Sequence, residues 1–256
     1  MTDWPARLAS GEPLGERVAV VVAHPDDESL WAGALLGRVS DGLLIHLTDG
    51  APEDMADAAR LGFGSREAYA TKRADELRLA LRLLAFAGER RCYGLRDQSA
   101  VEHLPELVER LMADLRGAAV VATHAYEGGH PDHDAAALAV QRAAARLGVP
   151  VVEFPGYHLS EQGRQWGAFW PDPHSPERSR PLTEAEAARI DAAIGAHASQ
   201  AAVIAGWRPT HERWRDAPAY DFAAPPPPGR ALYDGWAWSL TSRRWREIAA
   251  GELAPC

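Results

Sequence analysis

The stretch VAVVVAHPDDESLWAGALLGRV, residues 18–39, joins a continuously apolar run to a polar turn and then to a helical pattern. A strand that is buried on one face alternates apolar and polar residues, so this unbroken run predicts a strand covered on both faces. A helix is predicted from about Asp27 to Val39. The stretch therefore indicates a strand–turn–helix unit with charged groups at the carboxyl end of a buried strand.

The same alternation of strand and helix patterns continues to residue 157. Further strands are predicted at GLLIHLTDG, RRCYGLRD, AAVVATH and VPVVEFPGY, with helical patterns between them. Such alternation implies right-handed crossovers and a mostly parallel sheet. We therefore predict an α/β fold with a Rossmann-like three-layer core over residues 18–157, although no GxGxxG motif follows the first strand.

Residues 158–256 have a different composition. A helix is predicted over TEAEAARIDAAIGAHASQAAVIAG, residues 183–206, with a capping box formed by Thr183 and Glu186 at its start. The rest is rich in tryptophan and proline, and aromatic residues flank the proline run at 225–228, which favours an ordered covering loop over a disordered linker. We predict a single domain, 1–256, in which an irregular aromatic-rich C-terminal extension forms part of the substrate pocket.

Composition excludes several classes of protein. Of the 256 residues, 46% are hydrophobic and 25% charged, as in ordinary soluble domains. The formal charge is -9 and Lys72 is the only lysine, so a nucleic-acid partner is not expected. Cys92 and Cys256 lie far apart, which predicts neither a disulfide framework nor a CxxC metal site. The sequence shows neither the apolar core of a signal peptide nor an apolar stretch long enough to span a membrane, so a cytoplasmic protein is expected. Whether it forms a homo-oligomer is left open.

A second polar turn, GGHPDHD, follows the fourth predicted strand, just as HPDD follows the first. Ligands of open α/β sheets bind outside the carboxyl ends of the strands, so both turns belong to one rim. Four side chains there are candidate metal ligands: His24, Asp27, His130 and His133. Histidine nitrogen and aspartate oxygen suit zinc, and a catalytic zinc usually has three protein ligands. One of the four is therefore not expected to bind the metal, and the spacing does not decide which.

The motifs AHPDDE, residues 23–28, and GGHPDHDA, residues 128–135, resemble the paired motifs of the LmbE-like, or PIG-L, zinc-dependent deacetylases. The segments TKRADELRLALRLL and GLRDQ also resemble that family, so the similarity spans about residues 18–157. The resemblance implies that His24, Asp27 and His133 hold zinc. It also implies hydrolysis of the N-acetyl or N-acyl amide of an amino sugar, such as N-acetylglucosamine in a small glycoconjugate.

By the same resemblance, Asp26 is the general base, and His130, oriented by Asp132, assists the oxyanion and protonates the leaving amine. The physical argument agrees for Asp26, because a residue next to a ligand points elsewhere and is free to accept a proton. Arg73 and Asp97 match family positions that contact sugar hydroxyls.

One position departs from the family pattern, and two other functions stay open. Gly128 stands where some thiol-pathway members carry tyrosine, and Tyr126 is a nearby substitute. The alternatives to a deacetylase are a catalytically silent sugar- or nucleotide-binding module and an amidase that acts on a non-sugar amide. Three further histidines, His124, His197 and His211, lack ligand spacing and are expected to be structural.

Overall fold

A computed structural model describes residues 2–252, apart from the side chain of Glu252, so Cys256 lies outside the described residues. The helices are α1 (Trp4–Ala9), α2 (Asp27–Trp31), α3 (Gly33–Leu36), α4 (Ala56–Arg60), α5 (Arg66–Leu83), α6 (Leu104–Asp114), α7 (Pro131–Leu147), α8 (Glu184–Ala196) and α9 (Ser242–Glu252). The strands are β1 (Leu14–Val22), β2 (Val39–Pro52), β3 (Glu89–Asp97), β4 (Val120–His124), β5 (Val151–Phe154), β6 (Tyr157–Ser160), β7 (Gly163–Trp166), β8 (Arg178–Pro181) and β9 (His211–Asp216). Within the described range, no helix has both the length and the apolar character of a membrane span.

The main sheet has seven strands in the order β3-β2-β1-β4-β5-β9-β8. The first five of these pair in parallel, and β9 and β8 add antiparallel strands at one edge. This confirms the predicted α/β class with a mostly parallel sheet. Because β1 and β4 are neighbours, the two polar turns that follow them lie side by side at the carboxyl edge.

Both faces of β1 are buried, as the unbroken apolar run predicts. Val20 and Val22 belong to one apolar cluster, together with residues of α5 and α8. Ala19 and Val21 belong to a second cluster on the opposite face, with residues of α6 and α7. The sheet is therefore the middle of three layers. This arrangement fixes the position of the turn that begins at His24.

The predicted helix over 183–206 is wrong at its C-terminal end. Its start is confirmed, because Thr183 and Glu186 form the capping box. However, α8 ends at Ala196, and His197 leaves the helical conformation with φ -81° and ψ 57°. A 3₁₀ turn, Ala198–Gln200, follows. The side chains of Ser199 and Gln200 form hydrogen bonds with Glu76 and Tyr69 of α5. These tertiary contacts prevail over the helical pattern of the sequence.

A buried charged cluster around Arg215 of β9 connects the extension to the core. Arg215 Nε donates to Glu153 Oε2 over 3.1 Å, and Nη2 donates to Glu127 Oε1 over 3.2 Å. The guanidinium also lies 4.1 Å from the centre of the Phe169 ring. Burial raises the pKa of Glu153 to about 8, because Arg215 offsets it only in part and the nearby Glu127 adds repulsion. The cluster joins β5, β9 and the loop before His130.

Replacing Arg215 with methionine is expected to lower the free energy of unfolding by about 3–5 kcal/mol, because two buried carboxyl groups lose their cation. Urea unfolding measures the change. The matched control is Arg213→Met on the same strand, where the arginine is partly exposed and pairs with Glu177. An exposed pair contributes about 0–1 kcal/mol, so equal losses in the two variants would contradict the assignment.

Candidate active site

The two polar turns open onto a cavity of about 340 Å³ at the carboxyl edge of the sheet. Its floor contains seven of the eight site residues expected from the sequence, His24, Asp26, Asp27, Arg73, Asp97, His130 and His133. Asp132 lies behind this floor and is fully buried. The fold therefore brings together residues that are more than 100 positions apart in the chain.

The expected metal ligands form one group in the structure. Asp27 lies between the two histidines, with Oδ2 3.3 Å from His24 Nδ1 and Oδ1 3.2 Å from His133 Nε2. One nitrogen from each histidine and one Asp27 oxygen lie within 4.8 Å of one another, a spacing compatible with a shared metal ion. Burial raises the pKa of Asp27, but His133 and His124 hold it well below its usual range, which keeps the carboxylate ionised.

The second nitrogen of His24 faces two carboxylates. His24 Nε2 lies 3.0 Å from Asp132 Oδ2 and 3.1 Å from Asp97 Oδ1. Metal-binding histidines usually donate their other ring N–H to such a partner, so this contact also fits a ligand role. His24, Asp97, His130 and Asp132 form a second group with metal-ligand spacing.

The two groups differ in how many of their members line the cavity. In the second group, Asp132 does not face the cavity, and its carboxylate accepts the backbone N–H groups of Gln98 and Ala100 over 2.6 and 3.0 Å. All members of the first group line the cavity. In the second group only Asp132 lies away from the cavity, so the first group is the one whose members all line it.

Asp26 has an unusual backbone and two buried partners. Its φ angle is 142°, a region that residues other than glycine rarely adopt. Arg73 Nη2 donates to Asp26 Oδ2 over 3.0 Å, and the Asp26 backbone N–H donates to Glu28 Oε2 over 2.9 Å. Burial raises the pKa of Asp26 to about 6, with Arg73 opposing the shift and Asp27 adding to it. A carboxylate with a raised pKa beside a cavity suits a general base.

In the structure, His130 contacts the backbone of Asp132 and not its carboxylate. The Asp132 backbone N–H donates to His130 Nδ1 over 3.1 Å, while the Asp132 carboxylate contacts His24. Asp97 is the carboxylate that faces the other nitrogen, with Oδ1 3.6 Å from His130 Nε2. Burial and the adjacent His24 lower the pKa of His130. Orientation of His130 by the Asp132 side chain stays a prediction.

The two expected substrate contacts, Arg73 and Asp97, differ in the hydrogen bonds they have left to make. Arg73 is buried, and it donates to the carbonyl groups of Pro25 and Gly50 as well as to Asp26. Asp97 Oδ1 is buried without a hydrogen bond of good geometry, although it lies at the cavity. Arg73 Nε is likewise buried without a hydrogen-bond partner, so Arg73 has a donor and Asp97 an acceptor to offer. Substrate contact by either residue stays a prediction.

The outer wall of the cavity is formed by residues outside the expected site, including Trp236 and Trp238 of the aromatic-rich extension that is expected to form part of the pocket. They are Leu30, Asp57, Gln98, Tyr157, Arg164, Trp166, Gln200, Val203, Ile204, Trp236 and Trp238. Trp236 and Trp238 pack edge to face at 4.5 Å, and Trp238 lies 5.2 Å from His130. Most of this wall belongs to residues after 158. The tryptophan-rich composition is the only sequence signal for it.

The three histidines expected to be structural occupy different places. His124 stacks on His133 at 3.9 Å and accepts the Ala23 backbone N–H. His211 is exposed beside Thr210. His197 is buried, with Nε2 3.3 Å from Glu28 Oε1.

Gly128 cannot be replaced by a tyrosine in this packing. Its φ is +67°, and an added Cβ atom would lie 2.7 Å from Pro226 Cγ. Tyr126 does not take the place of such a tyrosine, because its hydroxyl donates to Ala224 O and its ring packs among Tyr220, Phe222 and Trp245. Among the residues described, Tyr157 is the tyrosine that lines the cavity.

The protein thus has an α/β fold with a mostly parallel sheet. Histidine and aspartate side chains at the carboxyl edge of this sheet form a candidate metal centre. Residues 19–144 match the PIG-L family, described as GlcNAc-PI de-N-acetylase. The core segment of the chain is therefore similar to the PIG-L (LmbE-like) family.

Two curated relatives each match about half of the chain. A probable N-acetyl-alpha-D-glucosaminyl L-malate deacetylase 2 of Bacillus subtilis is 31% identical over 139 residues, which cover 52% of this chain and 62% of the relative. A 1D-myo-inositol 2-acetamido-2-deoxy-alpha-D-glucopyranoside deacetylase of Corynebacterium diphtheriae is 28% identical over 166 residues, which cover 54% and 55%. The chain thus spans less than two thirds of the length of either relative.

Solved structures show the same fold at low identity. The zinc-inhibited form of teicoplanin deacetylase Orf2 aligns with a TM-score of 0.63 and 17% identity over 80% of this chain and 99% of that one. The A40926 pseudoaglycone deacetylase Dbv21 aligns with a TM-score of 0.62 and 19% identity over 78% and 96%. These alignments extend beyond the family match into the C-terminal extension.

Proposed function

We propose that this protein is a zinc-dependent deacetylase that hydrolyses the N-acetyl amide of an amino sugar in a small glycoconjugate. The observation that supports this most is the convergence of His24, Asp27 and His133 on one cavity, with Asp26 beside them. Relatives that are named as deacetylases of N-acetylglucosaminyl conjugates support the same substrate class. We further propose that the core and the extension form one domain. The cytoplasmic location expected from the sequence stays a prediction.

Zinc held by His24, Asp27 and His133 would polarise the amide carbonyl and acidify a water molecule. Asp26 accepts the proton of the attacking water at its carboxylate, which Arg73 orients through Oδ2. The raised pKa of Asp26 makes it a stronger base than an exposed aspartate. Asp27 stays ionised, so the two adjacent carboxylates have separate tasks.

We propose that His130 assists the oxyanion. Its Nδ1 accepts the Asp132 backbone N–H, so the hydrogen of the neutral ring resides on Nε2, from which it can be donated in a hydrogen bond. That nitrogen faces Asp97 across 3.6 Å. Burial disfavours the charged form of His130, and the carboxylate of Asp97 opposes this effect. We propose that Asp26 passes the proton that it takes from the water to the leaving amine, while His130 donates its Nε2–H hydrogen bond to the oxyanion.

The proposed function is tested by incubating the purified protein with a panel of N-acetylated glycoconjugates and measuring the free amine released. N-acetylglucosamine conjugates are expected to react, and chelation followed by zinc addition should abolish and restore the reaction. Release of amine only from non-sugar amides would favour the amidase alternative. Binding of the conjugates without amine release, at full zinc content, would favour a silent binding module.

Trp236→Ala is expected to raise the KM for a glycoconjugate several-fold more than the KM for free N-acetylglucosamine, because only the larger substrate reaches the outer wall. Steady-state kinetics with both substrates measure the difference. Trp170→Ala is the matched control, since this tryptophan also belongs to the extension but does not line the cavity. Equal changes for both substrates would show that selectivity comes from elsewhere.

A further inference from the structure

Asp26 is held from two sides by separate buried groups. On one side, Arg73 of α5 binds its carboxylate. On the other, the carboxylate of Glu28 accepts the Asp26 backbone N–H. Because the backbone of Asp26 is in a strained region, it keeps this conformation only while its surroundings enforce it. Both holding groups therefore influence where the carboxylate of Asp26 lies.

Glu28 is itself fixed by side chains from three parts of the fold. Its Oε2 lies 3.0 Å from His46 Nε2 of β2, and its Oε1 accepts the Ser29 hydroxyl over 2.6 Å. His197 Nε2 approaches Oε1 to 3.3 Å from the end of α8. All of these side chains are buried. Both oxygens of Glu28 are thus engaged by buried groups, and Oε2 also accepts the Asp26 backbone N–H.

The turn that supplies His197 also contacts the helix that supplies Arg73. The backbone N–H and the hydroxyl of Ser199 donate to the two oxygens of Glu76, over 3.0 and 2.6 Å. Glu76 lies three residues after Arg73 on α5. Gln200 adds a hydrogen bond to Tyr69 of the same helix over 2.6 Å. The turn 197–200 therefore contacts Glu28, which binds the Asp26 backbone, and also helix α5, which carries Arg73.

We propose that the turn 197–200 is a positioning element for Asp26, in which His197 acts through Glu28 and Ser199 acts through Glu76 and α5. The inference rests on the proposed role of Asp26 as the base. It also explains why the helical pattern ends early, since a helix that continued past Ala196 would point these side chains elsewhere. The C-terminal extension thus contributes to the chemistry as well as to the pocket wall.

His197→Leu removes the hydrogen bond to Glu28 while keeping a buried apolar side chain. We expect kcat to fall about 10- to 100-fold, because a misplacement of about 1 Å can cost 10²-fold in rate. The KM and the zinc content should change less than twofold, because His197 contacts neither the cavity nor the proposed ligands. His197→Gln, which can donate to Glu28 again, should recover most of the lost kcat.

Ile194→Ala is the matched control, because Ile194 is buried one turn earlier in α8 and lies outside this network. It should lower the melting temperature without lowering kcat. If His197→Leu lowers only the melting temperature, or if glutamine fails to restore kcat, the positioning role is overturned.

A double variant separates this inference from the proposed function. In an Asp26→Asn background, His197→Leu should cause no further loss of kcat, because the group that it positions is already removed. A full additional loss would overturn the inference and leave the proposed function intact. If Asp26→Asn alone retains the wild-type rate, Asp26 is not the base and the inference is overturned. If the unsubstituted protein releases no amine from any conjugate, the proposed function fails instead.

Discussion

His24→Ala and His133→Ala are expected to lose the bound zinc together with the deacetylase activity, whereas His130→Ala should keep the zinc and lose rate only. The reason is the geometry around Asp27, which contacts both ring nitrogens at 3.2–3.3 Å, while His130 faces Asp97. Elemental analysis of protein purified without added metal gives the zinc content per chain, and amine release gives the activity.

His211→Ala is the matched control, since His211 is an exposed histidine far from the proposed ligands in sequence and should leave both readouts unchanged. Zinc loss in His130→Ala and retention in His133→Ala would point to the second group, in which His24, Asp97, His130 and Asp132 surround the ion.

Substitutions of the adjacent residues Asp26 and Asp27 should affect different properties of the protein. Asp26→Asn is expected to keep zinc and to lower kcat by about 10²-fold or more, the usual scale for removing a general base. Asp27→Asn should lower the zinc content itself, because a neutral amide replaces the carboxylate between His24 and His133. Zinc titration and single-substrate kinetics on both variants measure the two effects.

Asp49→Asn provides the control, because Asp49 is paired with Arg66 outside the cavity. It should alter neither zinc content nor kcat. Equal zinc loss in Asp26→Asn and Asp27→Asn would mean that the two roles are wrongly assigned.

The sequence predicts the core well because its signals are local. The apolar run of β1 indicates burial on both faces, and Val20 and Ala19 indeed face opposite clusters. The two HPD motifs then follow neighbouring strands, so the parallel topology alone places them at one rim. Local capping chemistry likewise identifies the start of α8 at Thr183.

The remaining features depend on contacts between distant residues. The end of α8 is set by Glu28 and Glu76, which lie more than 100 residues before it. The antiparallel strand β9 joins the sheet by pairing with β5, and β8 pairs with β9; the short sequences of both strands lack a strong strand pattern. The partners of Asp132 come from the chain around residue 98, which no spacing rule connects to His130.

The close packing at Gly128 has a consequence for protein engineering. The Leu232 backbone N–H donates to the Gly128 carbonyl over 2.7 Å, and Pro226 and Ala231 occupy the space of any side chain there. Introducing a tyrosine at position 128 therefore needs a redesigned 226–231 loop in the same step, since the single substitution has no room. An evolutionary change from glycine to tyrosine at position 128 would likewise require an earlier change in that loop.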